Sequence, residues 1–115
     1  MITNPERKKL IMQYITTKIA SLKQQDEPLV VELEGILTFN PKYRFRLNGI
    51  RFMFNERFQY PSKKCLQFSL RQLRDEGLLT NQIHPDYYTR TIGNTKNYYL
   101  PELLEEYYRT MKELE

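Results

Sequence analysis

The stretch from Ser62 to Leu79 constrains this chain more than any other. Leu66, Leu70 and Leu73 stand at i, i+4 and i+7, which makes a narrow apolar stripe on one helix face. Ser62 suits the N-cap, because its hydroxyl can accept a bond from an otherwise unpaired backbone N–H. Gly77, just after Asp75-Glu76, suits the left-handed position that ends a helix. The pattern predicts a helix over 62–76, with Leu78-Leu79-Thr80 leaving it as an extended run. An α-helix advances about 100° per residue, so with Leu66 at 0° the stripe spans roughly −20° to 40°. Lys63, Arg74, Gln67, Arg71 and Lys64 then fall at about 60°, 80°, 100°, 140° and 160°, and Phe68 near 200°. The long hydrogen-bonding side chains share the side away from the core. Phe68 is expected to pack against a neighbouring element; exposed, its ring could instead touch a thymine methyl group.

Charge points to the same region. Residues 41–74 hold nine basic side chains (Lys42, Arg44, Arg46, Arg51, Arg57, Lys63, Lys64, Arg71 and Arg74) against one acid, Glu56, a net of +8. Residues 1–40 are neutral in sum, and residues 75–115 carry −4. A block of +8 repels itself unless a polyanion meets it, and nucleic acid is the commonest such partner.

The rest of the chain supplies a frame. A length of 115 residues fits one domain that can bury a core without metal or disulfide help. Cys65 stands alone, so no internal disulfide and no cysteine-based metal site is expected. No apolar run approaches the ~20 residues of a membrane span. The polar N-terminal residues lack a signal-peptide core, so a cytoplasmic location is expected, or a nuclear one in a eukaryote. A first helix is predicted over 5–25, with Asn4 as its cap and Ile11, Tyr14, Ile15, Ile19 and Leu22 on its apolar face. Residues 29–47 fit strand or helix by periodicity; Val30-Val31 and the alternation at Tyr43, Phe45 and Leu47 favour two short strands. A second helix is predicted over 48–58, capped by Asn48, with Ile50, Met53, Phe54 and Phe58 facing the core. Residues 78–100 read as a hairpin, Leu78–Ile83 outward and Asn97–Leu100 returning, and a last helix follows over 101–114.

This order of helix, strand, helix, turn, helix and hairpin resembles the winged helix-turn-helix superfamily. The sharpest likeness is the run Leu66-Gln67-Phe68-Ser69-Leu70-Arg71-Gln72-Leu73-Arg74-Asp75-Glu76-Gly77-Leu78-Leu79. It is similar to the recognition helix and first wing strand of many bacterial and archaeal regulators. The stretch 26–42 is longer than the usual link between the first two helices. The resemblance implies an α+β fold: a three-helix core, a β-hairpin wing and an extra C-terminal helix.

It also implies binding of double-stranded DNA, as a transcriptional regulator. Arg71 and Gln67 would read bases, since Arg can pair bidentately with guanine and Gln with adenine. Lys63, Lys64 and Arg74 would hold phosphates, and Arg90 or Lys96 in the hairpin loop would reach a phosphate or the minor groove. Arg44, Arg46 and Arg51 complete the expected DNA-binding set. Two other readings stand beside this one. One is a winged-helix subunit of a protein assembly, with the basic stripe meeting an acidic protein surface. The other is a DNA-binding accessory protein of replication, restriction or viral defence.

No enzyme and no cofactor is expected. His84 lies alone beside Pro85-Asp86, and a general base needs a partner and a pocket. Glu32-Leu33-Glu34 lacks the lysine of a nuclease-like site, and neither a phosphate-cradling glycine loop nor metal-ligand spacing occurs. The terminal helices look over-supplied with apolar side chains: Leu103, Leu104, Tyr107, Tyr108 and Met111 in the last, Leu10 and Met12 off the main stripe of the first. Surplus of that kind is often buried by a twofold partner, so a homodimer is expected.

Overall fold

Thr3, rather than Asn4, starts the first helix. In the computed structural model, which describes residues 2–57, 61–87 and 96–115 without the side chains of Glu56 and Arg57, α1 runs Asn4–Gln24. Thr3 Oγ1 accepts the Glu6 N–H at 3.4 Å, and Pro5 sits in the first turn, where its missing N–H would be unpaired anyway. This corrects the expected cap. Asn4 is already helical and turns its side chain toward the third helix. Ile11, Ile15, Ile19 and Leu22 are buried as their spacing requires.

Residues 29–47 resolve the strand-or-helix ambiguity differently from expectation. β1 (Val30–Leu33) and β2 (Ile36–Phe39) form an antiparallel hairpin, with Val30 opposite Phe39 and Leu33 opposite Ile36. Glu34 and Gly35 make the two-residue turn at φ 53° and 81°. Both lie in the left-handed region that a tight hairpin requires, and Gly enters it without Cβ strain. Asn40 then caps a 3-10 turn, Pro41–Tyr43, accepting the Lys42 N–H at 3.0 Å and donating to the Pro28 carbonyl at 2.7 Å. The strand expected over Tyr43–Leu47 shrinks to one bridge at Phe45. Tyr43 is drawn into the core, its hydroxyl donating to the Glu27 carbonyl at 2.7 Å, and the next helix already begins at Leu47.

α2 (Leu47–Arg57) buries Ile50, Met53 and Phe54, and Asn48 lies within its first turn rather than at a cap. Phe58 falls outside the described residues. α3 (Lys63–Asp75) follows the sequence closely. Ser62 Oγ accepts the Cys65 N–H at 3.2 Å, Leu66, Leu70 and Leu73 are buried, and Gly77 takes φ 81° just past the end. Among the described residues the hairpin expected over 78–100 is reduced to one single-residue bridge between its arms; residues 88–95 of its loop lie outside the described residues. Thr80 pairs with Tyr99, and Tyr98 pairs with Phe45, so the Tyr98-Tyr99 segment lies between the other two. α4 (Pro101–Leu114) closes the chain.

The chain is therefore α+β, with four α-helices and a two-stranded antiparallel hairpin among the described residues. One core joins them. Phe39 lies at the centre of an aromatic cluster, edge-on to Tyr99 and Tyr107 at ring separations of 5.2 and 5.3 Å and to Tyr43 at 6.4 Å. Leu10, Met12, Tyr108 and Met111 pack against this core, and Leu103, Leu104 and Tyr107 are within it. The chain itself thus covers part of the apolar area of the terminal helices, with Leu10, Met12, Tyr108 and Met111 partly buried and Leu114 exposed. No helix of the described residues is long and apolar enough to cross a membrane.

Burial pushes the Tyr99 phenol up to about 12, opposed by a hydrogen bond from Asn97 and by the nearby Arg44 and Arg46 cations. An unfolded tyrosine ionises near 10. The folded state therefore keeps a proton that the unfolded state gives up above that pH. This contribution to stability is intact below pH 10 and is lost as pH climbs toward 12. Melting temperatures measured from pH 9 upward should fall through this window, and Tyr99→Phe should make the fall shallower. An equally steep fall in that variant would assign the effect to other groups.

A candidate nucleic-acid interface

α3 is held in place from one side by α1. Asn4 donates to the Gln72 amide oxygen, Ser69 Oγ lies 2.6 Å from Asn4 Oδ1, and Arg7 Nε donates to Ser69 Oγ at 3.2 Å. Lys8 pairs with Glu76 at the far end of the same side. Arg7 also donates to the Ile2 carbonyl at 2.8 Å, so its charge serves the α1–α3 joint. With the leucine stripe in the core and this polar joint beside it, α3 leaves Lys63, Lys64, Phe68, Arg71 and Arg74 exposed.

On the opposite flank of α3 lies a groove of about 880 Å³. α3 contributes Lys63, Gln67, Arg71 and Arg74, with Leu70 at its floor. The segment before α2 contributes Arg44 and Arg46, and the Tyr98 segment contributes Lys96 and Tyr98. Three parts of the chain distant in sequence thus place six cations and two amides, Gln67 and Asn48, around one depression, and no lining residue is acidic. Alternation explains the middle pair. Phe45 enters the core and bridges to Tyr98, so its neighbours Arg44 and Arg46 point the other way. The first turn of α2, Leu47-Asn48-Gly49, forms another wall. Its ladder begins only at Ile50, whose N–H reaches the Arg46 carbonyl at 3.2 Å, so three N–H groups precede the ladder as at any helix start.

The cations are not equally committed. Arg74 touches Asp75 Oδ1 and Asn81 Oδ1, both at 3.3 Å, which anchors its guanidinium at the C-terminal end of α3. Arg46, Lys63 and Arg71 have no ion pair among the described residues. Three like charges around one depression are favourable only when an anion neutralises them. A second groove, of about 600 Å³ along α1, holds a single cation, Lys18.

Of the expected set, the groove gathers Lys63, Gln67, Arg71, Arg74, Lys96, Arg44 and Arg46. Lys64 and Arg51 do not line it. Arg90, with Tyr88, Thr89, Thr91 and Asn94 of the same loop, lies outside the described residues. Lys42 belongs to the basic block by sequence but leaves it in space. It pairs with Glu27 at 2.7 Å and holds that carboxyl below its ordinary value. Tyr87 stacks on Tyr108 at 5.3 Å and is half-buried. His84 closes the same corner: its N–H donates to the Tyr108 hydroxyl at 2.9 Å and its ring faces Asp86 at 3.5 Å. The first turn of α2 and Tyr98 are groove residues that the sequence did not single out. The Asn48-Gly49 pair ahead of the Ile50, Met53, Phe54 stripe was the available signal, and it read as a cap.

Phe68 departs from expectation. It is 52 % exposed, on the face of α3 opposite the leucines, rather than packed against a neighbour. No protein-family model, curated protein or solved structure matches the chain.

Proposed function

We propose that the chain binds double-stranded DNA as a winged helix-turn-helix protein, with α3 entering the major groove, and acts as a transcription regulator. The observation that carries this reading is the groove itself: six cations and Gln67 around one depression, with no acid in its lining. The order of parts agrees with it. α2 and α3 pack together after a break, and the bridges at Phe45, Tyr98, Tyr99 and Thr80 stand where a short wing sheet belongs. In this arrangement Arg71 and Gln67 meet base edges, while Lys63, Arg46 and Arg44 hold the flanking backbone. The early N–H groups of α2 favour a phosphate at the same wall.

Salt titration of full-chain binding to duplex DNA tests the reading. Each phosphate neutralised releases counterions, and log K falls by about 0.9 per phosphate for each tenfold rise in salt. Four to six contacts predict a slope of roughly −4 to −5. A slope near zero, or no duplex binding at low salt, overturns the proposal.

A second reading, a subunit of a protein assembly, is favoured by the β1–β2 hairpin. Leu33, Ile36 and Leu37 are exposed around its turn, an unusual density of apolar side chains for so short an element. Duplex binding that competes with an acidic protein but lacks the steep salt slope would favour that reading.

A further inference from the structure

Phe68 is a large aromatic side chain left 52 % exposed on α3. Its buried neighbours Leu66 and Leu70 define the core side, and Phe68 lies at about 200° from Leu66, on the far side of α3. Its surroundings on that side are polar. Lys64 precedes it by one turn and Arg71 follows it by one turn, the spacings at which helix side chains are neighbours. The result is one exposed apolar ring between two cations, next to a groove lined by six, Arg71 among them. A purely solvated helix face does not call for a phenylalanine there, and an apolar protein partner would not call for flanking charges of one sign.

Major-groove chemistry asks for both. Phosphates flank the groove, and among unmodified base edges the 5-methyl group of thymine is the apolar feature. We infer that Phe68 selects thymine in the bound DNA by covering its 5-methyl group, with Lys64 and Arg71 fixing the helix on either side. This rests on the reading that α3 enters a major groove. It makes Phe68 a specificity-determining residue that supplies sequence preference without a hydrogen bond. The same contact would accept the methyl group of 5-methylcytosine, which projects from the same ring position.

The test removes the methyl group and leaves base pairing intact. A duplex selected by the full chain from a random library is resynthesised with deoxyuridine in place of thymidine, one position at a time. Burial of one methyl group corresponds to roughly a fourfold change in affinity. One or two adjacent substitutions should therefore weaken wild-type binding by about fourfold, with the remaining positions unaffected. Phe68→Ala should bind thymidine and deoxyuridine duplexes equally, and Phe68→Leu should restore part of the difference. Because the ring is exposed, Phe68→Ala should melt within a degree or two of wild type, which separates a lost contact from a lost fold. Duplex binding that is blind to every deoxyuridine substitution overturns the thymine assignment and leaves the DNA reading standing. Sensitivity that persists unchanged in Phe68→Ala also overturns it. Failure to select or bind any duplex removes both.

Discussion

Leu70→Ala should lower the stability of the chain by about 2–5 kcal/mol, the range for emptying a buried leucine site. Leu70 is fully buried, between Leu66 and Leu73 in the stripe that seats α3 on the core. The cost has two parts: the lost transfer energy of the removed methyl groups, and the cavity left where neighbours cannot collapse. The site is poorly placed to collapse. α3 is fixed on its α1 side by the Asn4, Arg7, Ser69 and Gln72 hydrogen bonds, so the helix cannot slide inward without breaking them. The upper half of the range is expected for that reason. Domains of this size hold only about 5–15 kcal/mol, so the melting temperature should fall by about 10–20 °C. Leu70 also floors the basic groove, so any protein that remains folded should bind DNA more weakly as well. Thermal and urea unfolding, read against Phe68→Ala two positions away on the same helix, checks the assignment of faces. Equal melting temperatures for the two variants would mean that the core face has been misplaced.

The contrast between those positions also marks how far the sequence could be read. α3 was legible because each of its signals is local. A serine cap, leucines at helical spacing and a glycine stop act within 16 residues of one another, Ser62 to Gly77. Four buried positions of α1 followed from spacing in the same way. Its cap did not, because Thr3 and Asn4 are both good capping residues and one position decides which of them enters the helix. The segment from Val30 to Leu47 was only half legible. Strands of four residues are too short for periodicity to separate from a helix, and Gly35 reads as a defect until its φ of 81° places it in a turn. The strand expected around Phe45 kept its inward ring and lost its length, because Tyr43 is tied to Glu27 on one side and α2 begins on the other.

For the candidate site, composition identified the charges but not their destinations. The basic block holds Lys42 and Arg46 four residues apart; one pairs with Glu27 beside the hairpin and the other lines the groove. Lys96 joins that groove from the acidic third of the chain because Tyr98 bridges Phe45, a contact across 53 residues that no local pattern announces. Phe68 was misread for a related reason. Large apolar side chains are usually buried, and only the position of the leucine stripe, taken with the α1 joint, puts Phe68 on the exposed face of α3. The terminal helices show the reverse case. Leu10, Met12, Tyr108 and Met111 looked surplus to a three-helix core, but the core also includes the aromatic cluster around Phe39.

The groove's own charge gives the largest expected effect on binding. Arg46, Lys63 and Arg71 come from two separate parts of the chain and have no ion pair among the described residues, so removing them breaks no salt bridge of the fold. The triple variant Arg46→Ala, Lys63→Ala, Arg71→Ala should therefore keep its melting temperature, or gain slightly from reduced self-repulsion. Its affinity for duplex DNA should fall on the order of a hundredfold near physiological salt, with a salt slope shallower by about 1.8, two phosphates (Arg46 and Lys63) at about 0.9 each, while the loss of Arg71 removes a base contact. The two numbers must move together. A loss of affinity with an unchanged slope would mean that the side chains act through shape or hydrogen bonding rather than through charge neutralisation. Arg109→Ala on the exposed side of α4 removes one cation from outside the groove and should change neither quantity measurably. If Arg109→Ala flattens the slope as much per charge as the triple variant does, then net charge rather than the groove governs binding. The phosphates would then have to be placed on another face of the molecule.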